Sequence, residues 1–305
     1  MKRPSEISEP NPALPDKKNA TEPEQEKTEE IWISRQTTLR CYLCRKSNTY
    51  MKIRINLKYA ELEPWLQQLA DPAWFDRNGT TLHNGRNTIK YFETANGTKF
   101  VIKRYGKPSL INRLVYGTLR RSKAMRAYLH AGRLLKLGVE TPEMVAAIDI
   151  RRRGLLHDSY FVSKWSEGKS MRSVTEHYAE DPEEARILDA FAAFLLRVHN
   201  AGIYHEDLNI DNILYCFDGK NCRFELIDTN RMTFHRKLSK RRRLDNLRRL
   251  SCPAPAYLRI LDRYAELLHS DPTTLQFWGV LKRLRFEFRQ RCKRNFKQKI
   301  REKRR

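Results

Sequence analysis

The chain has no long apolar run. Of its 305 residues, the longest unbroken apolar stretch is the seven at 190–196, against the about 20 a membrane-spanning helix needs, which excludes a transmembrane helix. The opening residues, MKRPSEISEPNPALPDKK, contain no apolar core of a secretory signal, so a cytosolic chain is the expectation. Cysteine is scarce: six residues in a chain of this length make no disulfide framework and fit a reducing compartment. Negative charge is also short, with 36 Asp+Glu against 60 Lys+Arg and a net charge of +24, so an anionic partner is required. Nucleic acid, a membrane surface and a phosphorylated substrate all satisfy that requirement.

The charge is concentrated in two places. Residues 236–249 carry a net +7 and residues 279–305 a net +11, together 18 of the 24, while residues 1–30 are acidic, proline-rich and nearly free of apolar side chains. That composition predicts a disordered tail. Between these segments, 40% hydrophobic residues overall are enough to build a core. Runs at 88–93 and 99–104 are rich in β-branched and aromatic residues and flank an Asn96-Gly97 turn, predicting a hairpin. Residues 110–137 read mostly as helix stopped at Gly138, and 144–150 with 155–164 as a second strand pair. A long helix begins at Asp181 (N-cap), Pro182 and Glu184 (capping-box partner), with Ile187, Phe191, Phe194, Leu195 and Val198 on one face. Strands before residue 165 and helices after it predict an α+β chain of two lobes.

The chemistry is concentrated in His205-Glu206-Asp207-Leu208-Asn209-Ile210-Asp211-Asn212-Ile213-Leu214, followed by Phe224-Glu225-Leu226-Ile227-Asp228. A carboxylate, an asparagine five residues on and a second carboxylate after an apolar strand are what phosphoryl transfer needs: one group for the attacking hydroxyl and hard oxygen donors for Mg²⁺. This pattern resembles the catalytic and metal loops of the protein-kinase-like fold. The resemblance implies Asp207 as catalytic base, Asn212 and Asp228 as Mg²⁺ ligands, and Lys103, in Phe100-Val101-Ile102-Lys103, as the strand lysine on the ATP phosphates.

Departures narrow the family. Glu206 stands where protein kinases have Arg and Asn209 where they have Lys, and no Ala-Pro-Glu element follows Asp228, which argues against a protein kinase. Asp207-Leu208-Asn209, Asn246-Leu247-Arg248-Arg249-Leu250, Gly85-Arg86-Asn87-Thr88-Ile89-Lys90 and Arg121-Ser122-Lys123-Ala124-Met125-Arg126-Ala127-Tyr128 resemble the lipopolysaccharide kinases that phosphorylate Kdo or heptose in the inner core, closest to the Kdo-kinase branch of Bacteroidetes-like bacteria. The resemblance implies a bilobal protein-kinase-like fold, strand-rich in its N-lobe and helical in its C-lobe. It also implies ATP and Mg²⁺ as cofactors, a lipid-anchored phosphorylated glycolipid as substrate, and a peripheral place at the cytoplasmic face of the inner membrane. Residues 51–165 are the expected N-lobe and 166–305 the C-lobe; residues 1–50 are either a dispensable extension or an overcalled start. Residues 110–139 hold no acid to pair with Lys103, so a pseudokinase is the rival reading, and the only glycine near the phosphate-covering loop is Gly85.

Other features carry two readings each. Cys41-Tyr42-Leu43-Cys44 has the spacing of half a zinc site but lacks a second pair, which favours free thiols. His205 is expected to brace the catalytic loop and His199 to meet the carbonyls of its helix end. Phe277, Leu281, Leu284, Phe288, Cys292, Phe296 and Ile300 form one apolar stripe on a basic helix, either packed on the C-lobe or laid on an anionic bilayer. The basic run at 236–243 is placed either to grip acceptor phosphates or as a solvated loop. The basic clusters lack interleaved stacking aromatics outside that helix, so no specific nucleic acid is expected.

Overall fold

The computed structural model describes residues 37–44, 49–106 and 121–302. In chain order the first part contains strands β1 (Thr37–Cys44) and β2 (Thr49–Asn56), helices α1 (Glu63–Gln67) and α2 (Pro72–Arg77), strands β3 (Thr80–Asn84), β4 (Thr88–Glu93) and β5 (Lys99–Arg104), helix α3 (Lys123–Lys136), and strands β6 (Met144–Arg152) and β7 (Leu155–Lys164). All seven strands form one antiparallel sheet in the order β1-β2-β6-β7-β5-β4-β3. Strand β1 lies before Met51, inside residues 1–50, expected to be a dispensable extension or an overcalled start; residues 1–36, including the acidic tail, lie outside the described residues.

Alternation sets which sheet face is covered. Met51, Ile53 and Ile55 of β2 point inward, with Lys52 and Arg54 between them less buried. They join Leu66, Phe75, Phe92, Phe100 and Tyr160 in a core under α1 and α2, where Trp74 stacks on Phe92 at 5.7 Å. Strand β6 is buried on both faces because α3 covers the other side, where Met125, Tyr128 and Ala131 meet Met144 and Ala147. Helix α3 begins at Ser122, whose hydroxyl accepts from Met125 N at 3.0 Å, and ends at Gly138 with φ +71°. The helix expected from residue 110 is thus seen from Lys123 onward; residues 107–120 lie outside the described residues.

The second part runs β8 (Lys169–Ser170), α4 (Met171–His177), α5 (Pro182–Asn200), β9 (Ile203–His205), β10 (Ile213–Phe217), β11 (Cys222–Leu226), β12 (Met232–Phe234), α6 (Lys240–Leu247), α7 (Ala254–Leu267) and α8 (Pro272–Glu302). Asp181 caps α5 by accepting from Glu183 N at 2.8 Å. The capping box read from the sequence does not close; one carboxylate oxygen of Glu184 is buried without a partner among the described residues, and burial raises its pKa. The α5 stripe of Ile187, Phe191, Phe194, Leu195 and Val198 packs with Tyr257, Ile260, Leu261 and Tyr264 of α7 in one core. Leu134 and Val139 join that core, so the α3 region contributes to both cores and links the two parts.

Helix α8 is anchored by one side and bare on the other. Leu275 is buried, Lys282 pairs with Asp245 at 2.8 Å, Arg283 donates to the Cys252 carbonyl at 2.7 Å, and Phe286 sits under Arg248 and Arg249. At 3.6 residues per turn, Phe277, Leu284 and Phe288 fall on the opposite side, and they are 61%, 57% and 65% exposed. The apolar stripe therefore does not pack on the C-lobe. From Glu287 on, every described side chain of the helix is exposed.

Candidate functional site

The site is built on three short connections and one strand. Gly202 turns the chain from α5 into β9 at φ +75°, and a Cβ there would fall 1.7 Å from the His235 carbonyl oxygen, so only glycine fits. His205, at the end of β9, is fully buried; its Nε2–H donates to the Ile227 carbonyl at 3.2 Å and its Nδ1 accepts from Asp207 N–H at 3.1 Å. Burial lowers its pKa, which suits this neutral tautomer. His205 thus braces the loop that carries Asp207 against the segment that leads to Asp228, as the sequence reading expects.

Asn246 holds the same loop from behind. Its Nδ2 donates to the His205 carbonyl at 2.6 Å and its Oδ1 accepts from His205 N at 3.2 Å and from His199 Nε2 at 3.3 Å. His199 Nδ1 then accepts from the Tyr264 hydroxyl at 2.8 Å, which in turn accepts from Arg243 Nη1 at 3.3 Å. The expectation that His199 meets the carbonyls of its helix end is corrected: the side chain points inward because α6 and α7 supply buried partners there. The role of Asn246 was missed, although its motif was visible, because its bonds go to main chain 41 residues away.

The buried histidines carry a pH prediction. Burial pushes His199 down to about 3 and His130 down to about 4, whereas an unfolded histidine titrates near about 6.5. Below that pH the unfolded chain takes up protons that the folded chain refuses. Their contribution is complete above about pH 6.5 and is lost as pH falls toward the folded values, by up to about 1.4 kcal/mol per histidine per pH unit. Urea midpoints measured between about pH 7 and pH 5 are expected to fall with pH; a flat profile contradicts the assignment.

Asp207 follows, with its backbone committed and its side chain half exposed. Its carbonyl accepts from Asn212 Nδ2 at 2.9 Å and from Asn209 N at 2.7 Å, and its Oδ2 lies 3.4 Å from Arg231 Nη1. With its amide N–H groups so engaged, Asn212 has its Oδ1 left as an oxygen donor. Asp228 lies two residues past β11 at φ +57°, a conformation rare outside glycine and a common mark of functional positions. Lys103, on β5 opposite Phe161 of β7, reaches Asp228 Oδ1 at 2.8 Å, and the Asn230 amide bonds the same oxygen. Asp228 Oδ2 has no partner among the described residues.

That contact explains how Lys103 manages without a helix glutamate. The helix that packs beside it, α3, has no acid and grips the loop after Asp228 instead: Thr229 Oγ1 donates to the Ala127 carbonyl at 2.9 Å and His130 Nδ1–H donates to the Thr229 carbonyl at 2.7 Å. Lys103, Asn212 and Asp228 line one cleft of about 650 Å³. Its walls include the apolar side chains of Ile89, Val101, Phe161 and Leu214. Asp207 is half exposed and is not among the lining residues. Asp211, also on the cleft, is held by Arg172, while Glu225 keeps one buried carboxylate oxygen without a partner among the described residues.

Among the described residues no group of three or more His, Cys, Asp or Glu side chains is placed to hold a metal, and Cys41 is an exposed free thiol on β1. No helix of the described residues is long and apolar enough to cross a membrane.

Three comparisons bear on identity. A solved structure described as "WaaP in complex with acyl carrier protein" superposes with a TM-score of 0.50 at 18% identity, over 81% of this chain and 98% of that one. This likeness shows the fold, bilobal and protein-kinase-like. The 3-deoxy-D-manno-octulosonic acid kinase of Vibrio cholerae serotype O1 is 24% identical over 154 residues, 48% of this chain and 64% of that protein, so the chain spans just under two thirds of that relative's length. The lipopolysaccharide kinase (Kdo/WaaP) family pattern matches residues 77–257, more than half of the sequence and all four of the residues just described. The chain belongs to the lipopolysaccharide kinase (Kdo/WaaP) family.

Proposed function

We propose that the protein transfers the γ-phosphoryl group of ATP to a hydroxyl of 3-deoxy-D-manno-octulosonic acid (Kdo) in a lipopolysaccharide inner core. One observation carries the reading: Lys103 and Asp228, from different lobes, meet at 2.8 Å inside the cleft, while Asn212, on the same cleft, is tied to the Asp207 carbonyl at 2.9 Å. An ordered set of this kind positions two reactants and stabilises charge, which is most of what phosphoryl transfer asks of a protein. Asp207 accepts the proton of the attacking hydroxyl. The acceptor oxygen bonds to the γ-phosphorus, and the bond to the bridging oxygen breaks with its electron pair on ADP. Lys103 neutralises the nucleotide phosphates.

The donor set also fits Mg²⁺. Asp228 Oδ2 and Asn212 Oδ1 are hard oxygens without other partners among the described residues, and Mg²⁺ takes one or two carboxylates with the remainder from phosphate and water. When bound, Mg²⁺ supplies charge neutralisation across the phosphates. The missing helix glutamate, which favoured a pseudokinase, weighs less once Asp228 holds Lys103. Placement in a particular bacterial branch rests on sequence motifs alone. Comparing phosphate transfer to Kdo–lipid A and to a heptose-terminated core tests the acceptor: turnover of the first is expected, and turnover of the second alone sinks the Kdo assignment.

The same proposal places α8 on the membrane that holds the acceptor. Its exposed Phe277, Leu284, Phe288 and Phe296 lie on a helix that carries a net +8 between residues 279 and 302, the combination that binds anionic lipid headgroups. Vesicles containing phosphatidylglycerol should sediment with the protein, less so as salt rises. Exchanging Phe288 and Phe296 for aspartate is expected to weaken this at least tenfold, since each buried phenylalanine is worth about 1.5–3 kcal/mol. Equal binding by both proteins refutes the placement.

A further inference from the structure

Asp207 is placed by its main chain, and the residues on both sides of it are held from one distant span. On one side, Asp207 N–H donates to His205 Nδ1 at 3.1 Å, and Asn246 clasps the backbone of His205. On the other, Asn209 N–H donates to the Asp207 carbonyl at 2.7 Å, and the Ser251 hydroxyl donates to Asn209 Oδ1. Asn246 lies in the last turn of α6 and Ser251 just beyond its end.

Consecutive residues of α8 hold that span at its two ends. Lys282 Nζ donates to Asp245 Oδ1 at 2.8 Å, beside Asn246. Arg283 Nη2 donates to the Cys252 carbonyl at 2.7 Å, beside Ser251. The same guanidinium bonds Glu287 through Nε at 2.8 Å and lies 4.6 Å from the centre of the buried Tyr257 ring. The Lys282 and Arg283 side chains are only 18% and 16% exposed, so these contacts are not the solvent-screened pairs that contribute little. The Tyr204 hydroxyl adds a bond to the Asp245 carbonyl at 3.4 Å, next to His205. Helix α8 is itself seated there by buried Leu275 and by the Tyr257 hydroxyl, which donates to the Gly279 carbonyl at 3.3 Å. Two chains of contact thus run from adjacent α8 side chains to the two sides of Asp207. Helix α8 lies beyond residues 77–257, which the family pattern matches, so family membership assigns it no role.

We infer that Lys282 and Arg283 of α8 are positioning residues for Asp207, acting through the 245–252 span, so that the C-terminal helix completes the phosphoryl-transfer site. This rests on the kinase reading above. A general base must stand within hydrogen-bond reach of the hydroxyl it serves, and a misplacement of about 1 Å costs up to about 10²-fold in rate. The Asp207 carboxylate is half exposed, with little packing to correct a displaced backbone, so its precision depends on these supports. Lys103 and Asp228 are held differently, by each other, by Asn230 and through Thr229 by α3. Loosening α8 therefore falls on the proton acceptor and spares the nucleotide contacts.

The test compares the full chain with its Lys282→Gln and Arg283→Gln variants, using ATP, Mg²⁺ and Kdo–lipid A. Each variant is expected to lower kcat about tenfold and to leave the KM for ATP within about twofold. Arg259→Gln is the control. It removes a paired contact of the same kind, to Asp189 at 2.9 and 2.8 Å, between α7 and α5, and Arg259 has no hydrogen bond to the 245–252 span among the described residues. The control is expected to keep the wild-type kcat. Hydrogen–deuterium exchange supplies a readout without turnover: peptides covering 205–209 are expected to exchange faster in the two α8 variants and at the wild-type rate in Arg259→Gln. A wild-type kcat in either α8 variant, an equal loss in Arg259→Gln, a rise in the KM for ATP as large as the fall in kcat, or unchanged exchange at 205–209 overturns the inference. If the wild-type protein transfers nothing to Kdo–lipid A while exchange at 205–209 still rises in the α8 variants, the kinase reading fails and the support of this loop by α8 stands.

Discussion

Replacing Asp207 by alanine is expected to lower kcat by about 10²–10⁴-fold, the usual contribution of a positioned general base, while the protein melts close to the wild-type temperature. The second half of that expectation comes from the loop itself. The structural bonds of residue 207 are made by its backbone: its N–H to His205 and its carbonyl to Asn209 and Asn212. Its carboxylate is half exposed and, among the described residues, meets only Arg231, at 3.4 Å, and exposed pairs of that kind are worth about 0–1 kcal/mol. Alanine keeps every loop bond and removes the proton acceptor. Steady-state kinetics and a thermal melt on the same preparation check both parts; transfer at the wild-type rate removes Asp207 from the mechanism.

Asn246→Ala is expected to do the reverse, destabilising the fold by about 3–5 kcal/mol and carrying activity down with it. The amide satisfies the buried N–H and carbonyl of His205 and the ring N–H of His199. Each buried group left without a partner costs about 1–3 kcal/mol, and no water reaches this fully buried position unless the helices part. His205 in turn spaces the Asp207 loop from Ile227, so slack at His205 passes to both proposed catalytic carboxylates. Urea unfolding gives the number directly; a loss below about 1 kcal/mol would show that the network does not hold the loop.

The two variants also mark the limit of what the sequence could tell. Strands β4 and β5 were read to the residue because alternating β-branched and aromatic side chains enclose an Asn-Gly turn, a strictly local signal. Asp207, Asn212 and Asp228 were legible as a spaced motif, and Lys103 as the end of an apolar strand. What pairs with Lys103 was not, because that depends on the strand crossing over the loop after β11, a contact between distant segments. Asn246 was hidden for the same reason, and His199 was misread because its partners sit on α6 and α7. The short helices α1 and α2 escaped notice because five or six residues show too little periodicity. For α8 the apolar stripe was plain, but which side it turned to the body depended on Leu275, Arg283 and Phe286 finding partners first. Strand β1 is an edge strand with only one neighbour, and its sequence lacks the clear alternation of a half-buried strand.

Membership of the lipopolysaccharide kinase (Kdo/WaaP) family points to a kinase, and the charge distribution bears on the proposed partner. Positive charge is gathered on α8 and on the run leading into α6. A membrane-held, anionic acceptor would meet both. The most direct test of that account is to incubate the wild-type protein and the Asp207→Ala variant with ATP, Mg²⁺ and Kdo–lipid A and weigh the glycolipid by mass spectrometry. One added phosphate with the wild type and none with the variant is the predicted result; no added phosphate with the wild type, or the same addition with both, contradicts it.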